Sequence, residues 1–438
     1  MAKPRRTLRY WLQQIHLWVG LILCIPLVLL GITGSVLVYG HDLDHLFGNA
    51  EPAATAAGEW QSPGAIVAAA AASAEPGRVP IAVRWPAEPG EPAAVRLSRP
   101  GMAREGGPRT EGPRAEGQRP QGQAQQGQVQ RGQPVQGTVP NVSPFAGSQQ
   151  ILIDPVTLEK LGTSGAMSPW LRVFHDLHGN LLIPGRDGRA VVGWLGIAML
   201  VLGVSGLVIW WPRSNGAPGQ WKAAFFIRKG AKGLRLHRDL HGMVGIWSMV
   251  IFMIVSFTGV YLGFPQQTAA VINAVFPGRD MRAAMFQAKV QPLPGATPVA
   301  LDDAVALALQ KAPGTRFLNA FLPTRPDQAL RIGLIRPDHS DGAPTVTVLV
   351  DPWRHSVIDV FDPRDYSLGE SLIAWQRPLH EGLGLGPVYQ LLVFLSGLII
   401  PLFAVTGFFM WWIKRRNRRA TERAKQAALR QAAGQQAE

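Results

Sequence analysis

Residues 16–34 read HLWVGLILCIPLVLLGITG and residues 241–259 read HGMVGIWSMVIFMIVSFTG. In each, a histidine opens an uncharged apolar stretch, a glycine follows four residues on, and Thr-Gly closes it seventeen and eighteen residues after the histidine. The uncharged runs 17–39 and 243–264 around these segments, with two more at 191–211 and 388–413, each reach the roughly 20 residues that cross a hydrocarbon core at 1.5 Å per residue. The sequence therefore predicts four transmembrane helices. A composition of 47% hydrophobic and 16% charged residues over 438 positions agrees, since it suits neither an ordinary soluble enzyme nor a disordered chain. The first run is too long for the apolar part of a signal peptide, and it ends in Val-Tyr-Gly-His-Asp rather than a small-residue cleavage site.

Basic residues collect on the cytoplasmic side of membrane proteins, and here they set the expected topology. The segments 1–16, 212–242 and 414–438 hold nineteen Lys and Arg against three acids, whereas the rest of the chain carries twenty-four bases and twenty-six acids. Both termini are expected in the cytoplasm, and the net charge of +14 becomes a topology signal that leaves no need for a nucleic-acid partner. Cys24 is the one cysteine, so no intrachain disulfide can form.

Two long segments, 40–190 and 265–387, then face outward. Each shows a helix candidate (from Ser62 and from Leu301), strand candidates (81–85 and 93–97; 316–322 and 329–335), and a β-rich run broken by Asp-Pro at Asp154-Pro155 or Asp351-Pro352. The expectation is two small α+β units. Residues 101–142 are Gly, Gln, Pro and Arg with almost nothing apolar, which reads as a disordered insertion in the first unit.

The remaining helices also match each other. Leu177-His178 corresponds to Leu379-His380, and Ser205-Gly206 before Trp210-Trp211 corresponds to Thr406-Gly407 before Trp411-Trp412, with His-to-Gly spacings of 28 and 27. The chain reads as two copies of one unit of like topology. Duplication turns four scattered histidines into two pairs: His16 with His241 at the inner ends of helices one and three, and His178 with His380 at the outer ends of helices two and four. Facing neutral imidazoles suit the axial positions of a haem iron; zinc or copper, a proton relay and a structural role are the other chemistries open to them. The Gly and Thr/Ser-Gly positions read as close-packing sites, and the paired tryptophans as an interfacial belt.

His175 and His237 share a helical face with His178 and His241 and have no repeat partner, which makes them supporting or alternative ligands. Arg172, Arg189, Arg238 and Arg377 stand near the expected sites, where they would pair acidic groups of a cofactor or lipid phosphates. His339 and His355 fall outside the pattern as surface residues, and the HDLDH run holding His41 and His45 is a weak metal or substrate contact.

The H-x-x-x-G entry into a helix ending in Thr-Gly, the Leu-His before a helix ending in G-L-x-x-W-W or G-F-x-x-W-W, and the ILIDP and VLVDP strands resemble the PepSY-associated transmembrane family. They are similar in particular to its di-haem ferric-siderophore reductases of the bacterial inner membrane. The resemblance implies a four-helix membrane α+β protein with two periplasmic PepSY domains and two b-type haems, held inside by His16 and His241 and outside by His178 and His380. It also implies electron transfer from a cytoplasmic donor to a ferric siderophore in the periplasm. Two readings from other classes stand beside it: a non-redox PepSY regulator that binds a peptide or protease, and a histidine-lined metal permease.

Overall fold

The computed structural model describes residues 7–49, 51–99, 148–164, 167–212 and 224–435. The insertion expected at 101–142 lies outside the described residues. The helices that matter to the argument are α1 (Leu8–Ile22), α2 (Cys24–Val38), α3 (Gly40–Asp44), α4 (Pro63–Ala72), α5 (Pro169–Asn180), α6 (Arg186–Trp210) and α7 (Leu234–Gly263). They continue with α8 (Pro265–Val275), α9 (Met281–Phe286), α10 (Leu301–Lys311), α11 (Leu368–Ala374), α12 (Gln376–Glu381) and α13 (Pro387–Gln435).

Three helices, α6, α7 and α13, are long and apolar enough to cross a membrane, and α1 with α2 makes a fourth if that bent pair is one span. The single helix expected over 17–39 is therefore corrected: α1 and α2 meet at Leu23 with their axes 68° apart. Pro26 accounts for the break, because its ring has no N–H to donate and collides with the carbonyl four residues back, at Ile22. The matching segment of α7 has no proline and runs straight through. The other spans exceed their expected limits, α7 starting nine residues before the apolar run and α13 continuing through the basic tail.

Small residues let the spans close on one another. A Cβ placed on Gly31 of α2 would lie 2.5 Å from the Gly397 carbonyl of α13, and one on Gly263 of α7 would lie 2.6 Å from the Gly193 Cα of α6. Backbones meet at these crossings because no side chain intervenes. Ser35 Oγ adds a hydrogen bond to Phe394 O at 2.7 Å across the first of them.

Beyond the bundle, the two expected α+β units are joined in one antiparallel sheet of eight strands. In sequence order these are β1 (Val79–Arg84), β2 (Ala93–Ser98), β3 (Gln149–Ile153), β4 (Lys160–Ser164), β5 (Arg316–Phe321), β6 (Leu330–Ile335), β7 (Val346–Asp351) and β8 (Ser356–Phe361). Their spatial order, β4-β3-β2-β1-β5-β6-β7-β8, is a palindrome about the β1–β5 seam, where Val83 faces Ala320. Strand alternation sends Val83, Val95, Ile151, Ile153, Ile332, Leu334, Val348 and Val350 to one face, which α4 and α10 cover with Ile66, Ala70, Ala304 and Ala308 in a single core. An edge left open on either unit would present unpaired N–H and C=O groups, and pairing β1 with β5 removes one such edge from each. Asp302 of α10 ties the helices together by accepting from Gly64 N at 2.7 Å and from Ser62 Oγ at 2.7 Å, at the start of α4.

The Asp-Pro turns carry the same construction twice. Asp154 accepts from the Thr55 N–H and hydroxyl at 2.7 Å each, and from the N–H groups of Val156 at 2.8 Å and Thr157 at 3.1 Å. Asp351 accepts from Trp353 N at 2.9 Å, Arg354 N at 3.2 Å and Arg354 Nη1 at 2.9 Å. Burial pushes the Asp154 carboxyl up, but the hydrogen bonds from Thr55, Thr157 and Val156 outweigh it and hold the group at about 2. A carboxylate depressed in the folded state stabilises fully above its unfolded value and loses that contribution as pH falls through the folded one. Asp154→Asn should therefore cost about 1–3 kcal/mol at pH 7 and progressively less between about pH 4 and pH 2. Thermal melts of the purified protein in detergent at those pH values check this, and a variant equally destabilised at both ends would refute it.

Candidate functional site

Four of the sequence-selected histidines meet in two pairs. His16 on α1 and His241 on α7 have ring centroids 6.1 Å apart, at the end of the bundle away from the sheet. His178 on α5 and His380 on α12 have centroids 5.9 Å apart, at the sheet end. Neither α5 nor α12 is a span. Each is a short helix that ends in a left-handed residue and hands over to the next span, α5 at Leu181 (φ 53°) and α12 at Gly382 (φ 80°). Gly382 takes this conformation at no steric cost, whereas Leu181 and Leu182, both at positive φ, store strain beside His178. Tyr389 Oη donates to Leu379 O at 2.7 Å and fixes α12 against α13.

Each imidazole has a hydroxyl at Nδ1. His16 lies 3.0 Å from Ser205 Oγ, His178 3.2 Å from Thr33 Oγ1, His241 2.8 Å from Thr406 Oγ1 and His380 3.0 Å from Thr258 Oγ1. Each of those hydroxyls donates to a carbonyl four residues back on its own helix: Ser205 to Val201 at 2.6 Å, Thr33 to Leu29 at 2.7 Å, Thr258 to Ile254 at 2.9 Å and Thr406 to Leu402 at 2.7 Å. With its one hydrogen committed there, the hydroxyl accepts, so the ring nitrogen donates. Leu30 O, 3.0 Å from His178 Nδ1, and Val255 O, 3.2 Å from His380 Nδ1, can only accept and require the same assignment. The hydrogen-bond network thus puts the proton on Nδ1 of all four rings and leaves the lone pair on Nε2.

The glycine after each Ser or Thr makes room for the ring. A Cβ would lie 2.8 Å from His178 Cε1 if added to Gly34, 3.2 Å from His16 Cε1 at Gly206, 3.2 Å from His380 Cε1 at Gly259 and 3.9 Å from His241 Cε1 at Gly407. The Thr/Ser-Gly dipeptide is a histidine seat, with oxygen to one side of the ring and no side chain beneath. Sequence reasoning took these residues for general close packing and missed the role. The signal was present, since every matched histidine has one such dipeptide on the other span of its own repeat. Arg9 was likewise counted only as an inside charge. It donates to Trp211 O at 3.2 Å and to Ile209 O, capping the last carbonyls of α6 and holding α1 beside Ser205.

The other sequence candidates do not join the pairs. His175 is exposed and makes its contact with Asp176, at 3.4 Å. His237 stacks on Phe409 with centroids 5.1 Å apart. Arg172 and Arg189 are exposed; Arg238 lies 3.9 Å from Asp239, and Arg377 pairs with Glu381 at 2.8 Å. His41 and His45 pack ring against ring at 4.3 Å, and the neighbouring Asp44 accepts from Trp170 Nε1 at 3.0 Å. His339 and His355 contact the carbonyls of Ala343 and Thr297.

Two imidazoles bound on opposite sides of one metal ion by bonds of about 2 Å have ring centres about 6 Å apart, the separation of both pairs. Among the described residues no group of three or more His, Cys, Asp and Glu is placed to hold a metal ion. A metal at either pair would therefore take no further His, Cys, Asp or Glu donor from the described residues.

Membrane-length helices with two histidine pairs set among them and the short helices beside them define a multi-pass membrane protein. The chain belongs to the family of the PepSY-associated TM region, whose model matches residues 13–414. No protein of curated function matches it.

The seats differ in tightness, and alanine scanning reads that difference. Gly34→Ala should push the His178 ring off Thr33 and cost about 1–3 kcal/mol, while Gly407→Ala should be tolerated within about 0.5 kcal/mol. Thermal melts of the two variants in detergent check the order, and equal destabilisation would show that the rings do not set it.

Proposed function

We propose that this chain is a membrane oxidoreductase of the bacterial inner membrane that holds two haem b groups and moves electrons across the bilayer. His16 and His241 would hold the inner group, His178 and His380 the outer one. The supporting observation is that each of the four imidazoles sets Nδ1 against a Ser or Thr hydroxyl, which leaves Nε2 as the donor, at ring separations of 6.1 and 5.9 Å. When bound, haem supplies a one-electron Fe(III)/Fe(II) couple.

The residues of the chain do the rest by positioning. Ser205, Thr33, Thr406 and Thr258 fix each ring's tautomer and rotation through Nδ1, and hydrogen bonding there raises the basicity of Nε2. Gly34, Gly206 and Gly259 keep open the space that the rings of His178, His16 and His380 occupy. Apolar spans exclude water from the gap between the pairs. The basic segments face the cytoplasm on this reading, with both termini inside, and the sheet, read as two fused PepSY units, stands in the periplasm. The substrate is a ferric siderophore: Fe(II) is softer and less charged than Fe(III), so reduction loosens the grip of oxygen donors and releases the metal. The donor is a cytoplasmic reductant. A histidine-lined permease is less well supported, because among the described residues its metal would find no His, Cys, Asp or Glu beyond the two histidines of each pair. A PepSY regulator leaves the four matched histidine seats without a purpose.

Haem content decides the matter. The purified protein should carry two extractable haems per chain, and His16→Ala or His241→Ala should remove one while His178→Ala or His380→Ala removes the other. Pyridine haemochrome assay with spectra of each variant makes the test. A protein without Soret absorption overturns the proposal, and loss of the same haem from His16→Ala and His178→Ala overturns the pairing.

A further inference from the structure

Helix α13 does not stop where the apolar run ends. It continues unbroken past Trp411 and Trp412 through a segment, 414–430, with eight bases, one acid and every residue exposed. Arg415 and Arg416 lie over the Trp411 and Trp412 rings, at 5.3 and 5.7 Å, and account for themselves as an interfacial collar. The outer bases do not. At 1.5 Å per residue Arg423 stands about 16 Å, Lys425 about 20 Å and Arg430 about 27 Å beyond Trp412 along the helix. The Debye length at physiological salt is about 8 Å, so anionic headgroups at the membrane surface are screened from all three. Arg415, Arg419 and Arg423 follow one another at i, i+4, where like charges repel, and the segment's described ion pair is Arg418 with Glu422 at 2.9 Å. A helix exposed on all sides and crowded with one sign of charge is complemented by an anionic surface reaching well away from the bilayer.

That helix also grows directly out of the inner site. Thr406, the seat of His241, is on α13 eight residues before Lys414, and Lys232, Arg235 and Arg238 stand on the approach to His241 itself. We infer that the distal part of α13 is the docking surface for an acidic, electron-carrying protein that reduces the inner site. This rests on the proposed two-haem function and adds the donor's chemistry to it: a soluble protein with a carboxylate-rich face around its redox group, steered by charge to the basic helix.

The test uses the full chain in discs of zwitterionic phosphatidylcholine, with reduced flavodoxin, an acidic one-electron carrier, as the probe and dithionite as a small reductant needing no docking. Reduction by flavodoxin should slow at least tenfold from 20 to 300 mM salt. The triple variant Arg423→Gln, Lys425→Gln, Arg430→Gln should lose several-fold at low salt and show a flatter salt dependence, while its reduction by dithionite is unchanged. Equal flavodoxin rates for variant and parent overturn the inference. So does an effect of the variant that appears only when phosphatidylglycerol is added to the discs, which would make lipid the counterpart. If dithionite reduces nothing, the two-haem reading has failed. Flavodoxin binding to the discs, followed by sedimentation, then decides the docking surface alone: salt-sensitive binding lost in the triple variant supports it, and no binding at low salt overturns it.

Discussion

A histidine among apolar helices has to place its N–H, because an unpartnered donor in a membrane costs several kcal/mol. Every paired histidine here solves this with a Ser or Thr whose own hydrogen is already spent on its helix backbone. One choice then fixes much else. The hydroxyl must stand on a neighbouring helix at the level of the ring, the next residue must be glycine at the three seats where the ring approaches closest, and helix pairs α1–α6 and α7–α13 are locked in register by it. Nε2 is left over, and its availability is a by-product of how the bundle satisfies Nδ1.

The sheet imposes the matching order at the other end. Its palindromic strand sequence and its seam at β1–β5 hold the two halves of the sheet region as one body. The shared core beneath α4 and α10 makes independent movement of the halves costly, since the same buried side chains belong to both. His178 and His380 sit on short helices between this body and the spans, so their spacing is set from two sides: by hydroxyls on α2 and α7 and by the anchoring of α12 on α13.

Much of this was legible in the residues. Uncharged runs mark three spans, the matched spacings bring His16 to His241 and His178 to His380, and Asp-Pro marks both hairpins. What was not legible depended on partners distant in sequence. The β1–β5 seam has no local signature, because an edge strand and a central strand share the same alternation. Pro26 was visible, yet Pro401 stands inside α13 without ending it, so proline alone did not tell a broken span from a continuous one. The role of the Thr/Ser-Gly dipeptides emerged only once each was known to lie opposite a ring.

The break at Leu23 separates the two halves in kind. In α7 a single unbroken helix carries both His241 and Thr258, so one histidine of the first pair and the seat of His380 move as one piece. In the first half the same seventeen-residue interval is split, with His16 on α1 and Thr33 on α2. Helix continuity cannot hold His16 in place there. Its position rests on polar contacts to α6: Arg9 on the carbonyls of Ile209 and Trp211, and the ring itself on Ser205. α1 shows an exposed apolar stripe, Leu8, Trp11, Ile15, Trp18 and Ile22, on the side facing away from the bundle, which orients it in lipid without fixing its distance from α7. The His16–His241 pair thus has one histidine on an unbroken span and one on the short helix before the break, held to α6 by Arg9 and by Ser205.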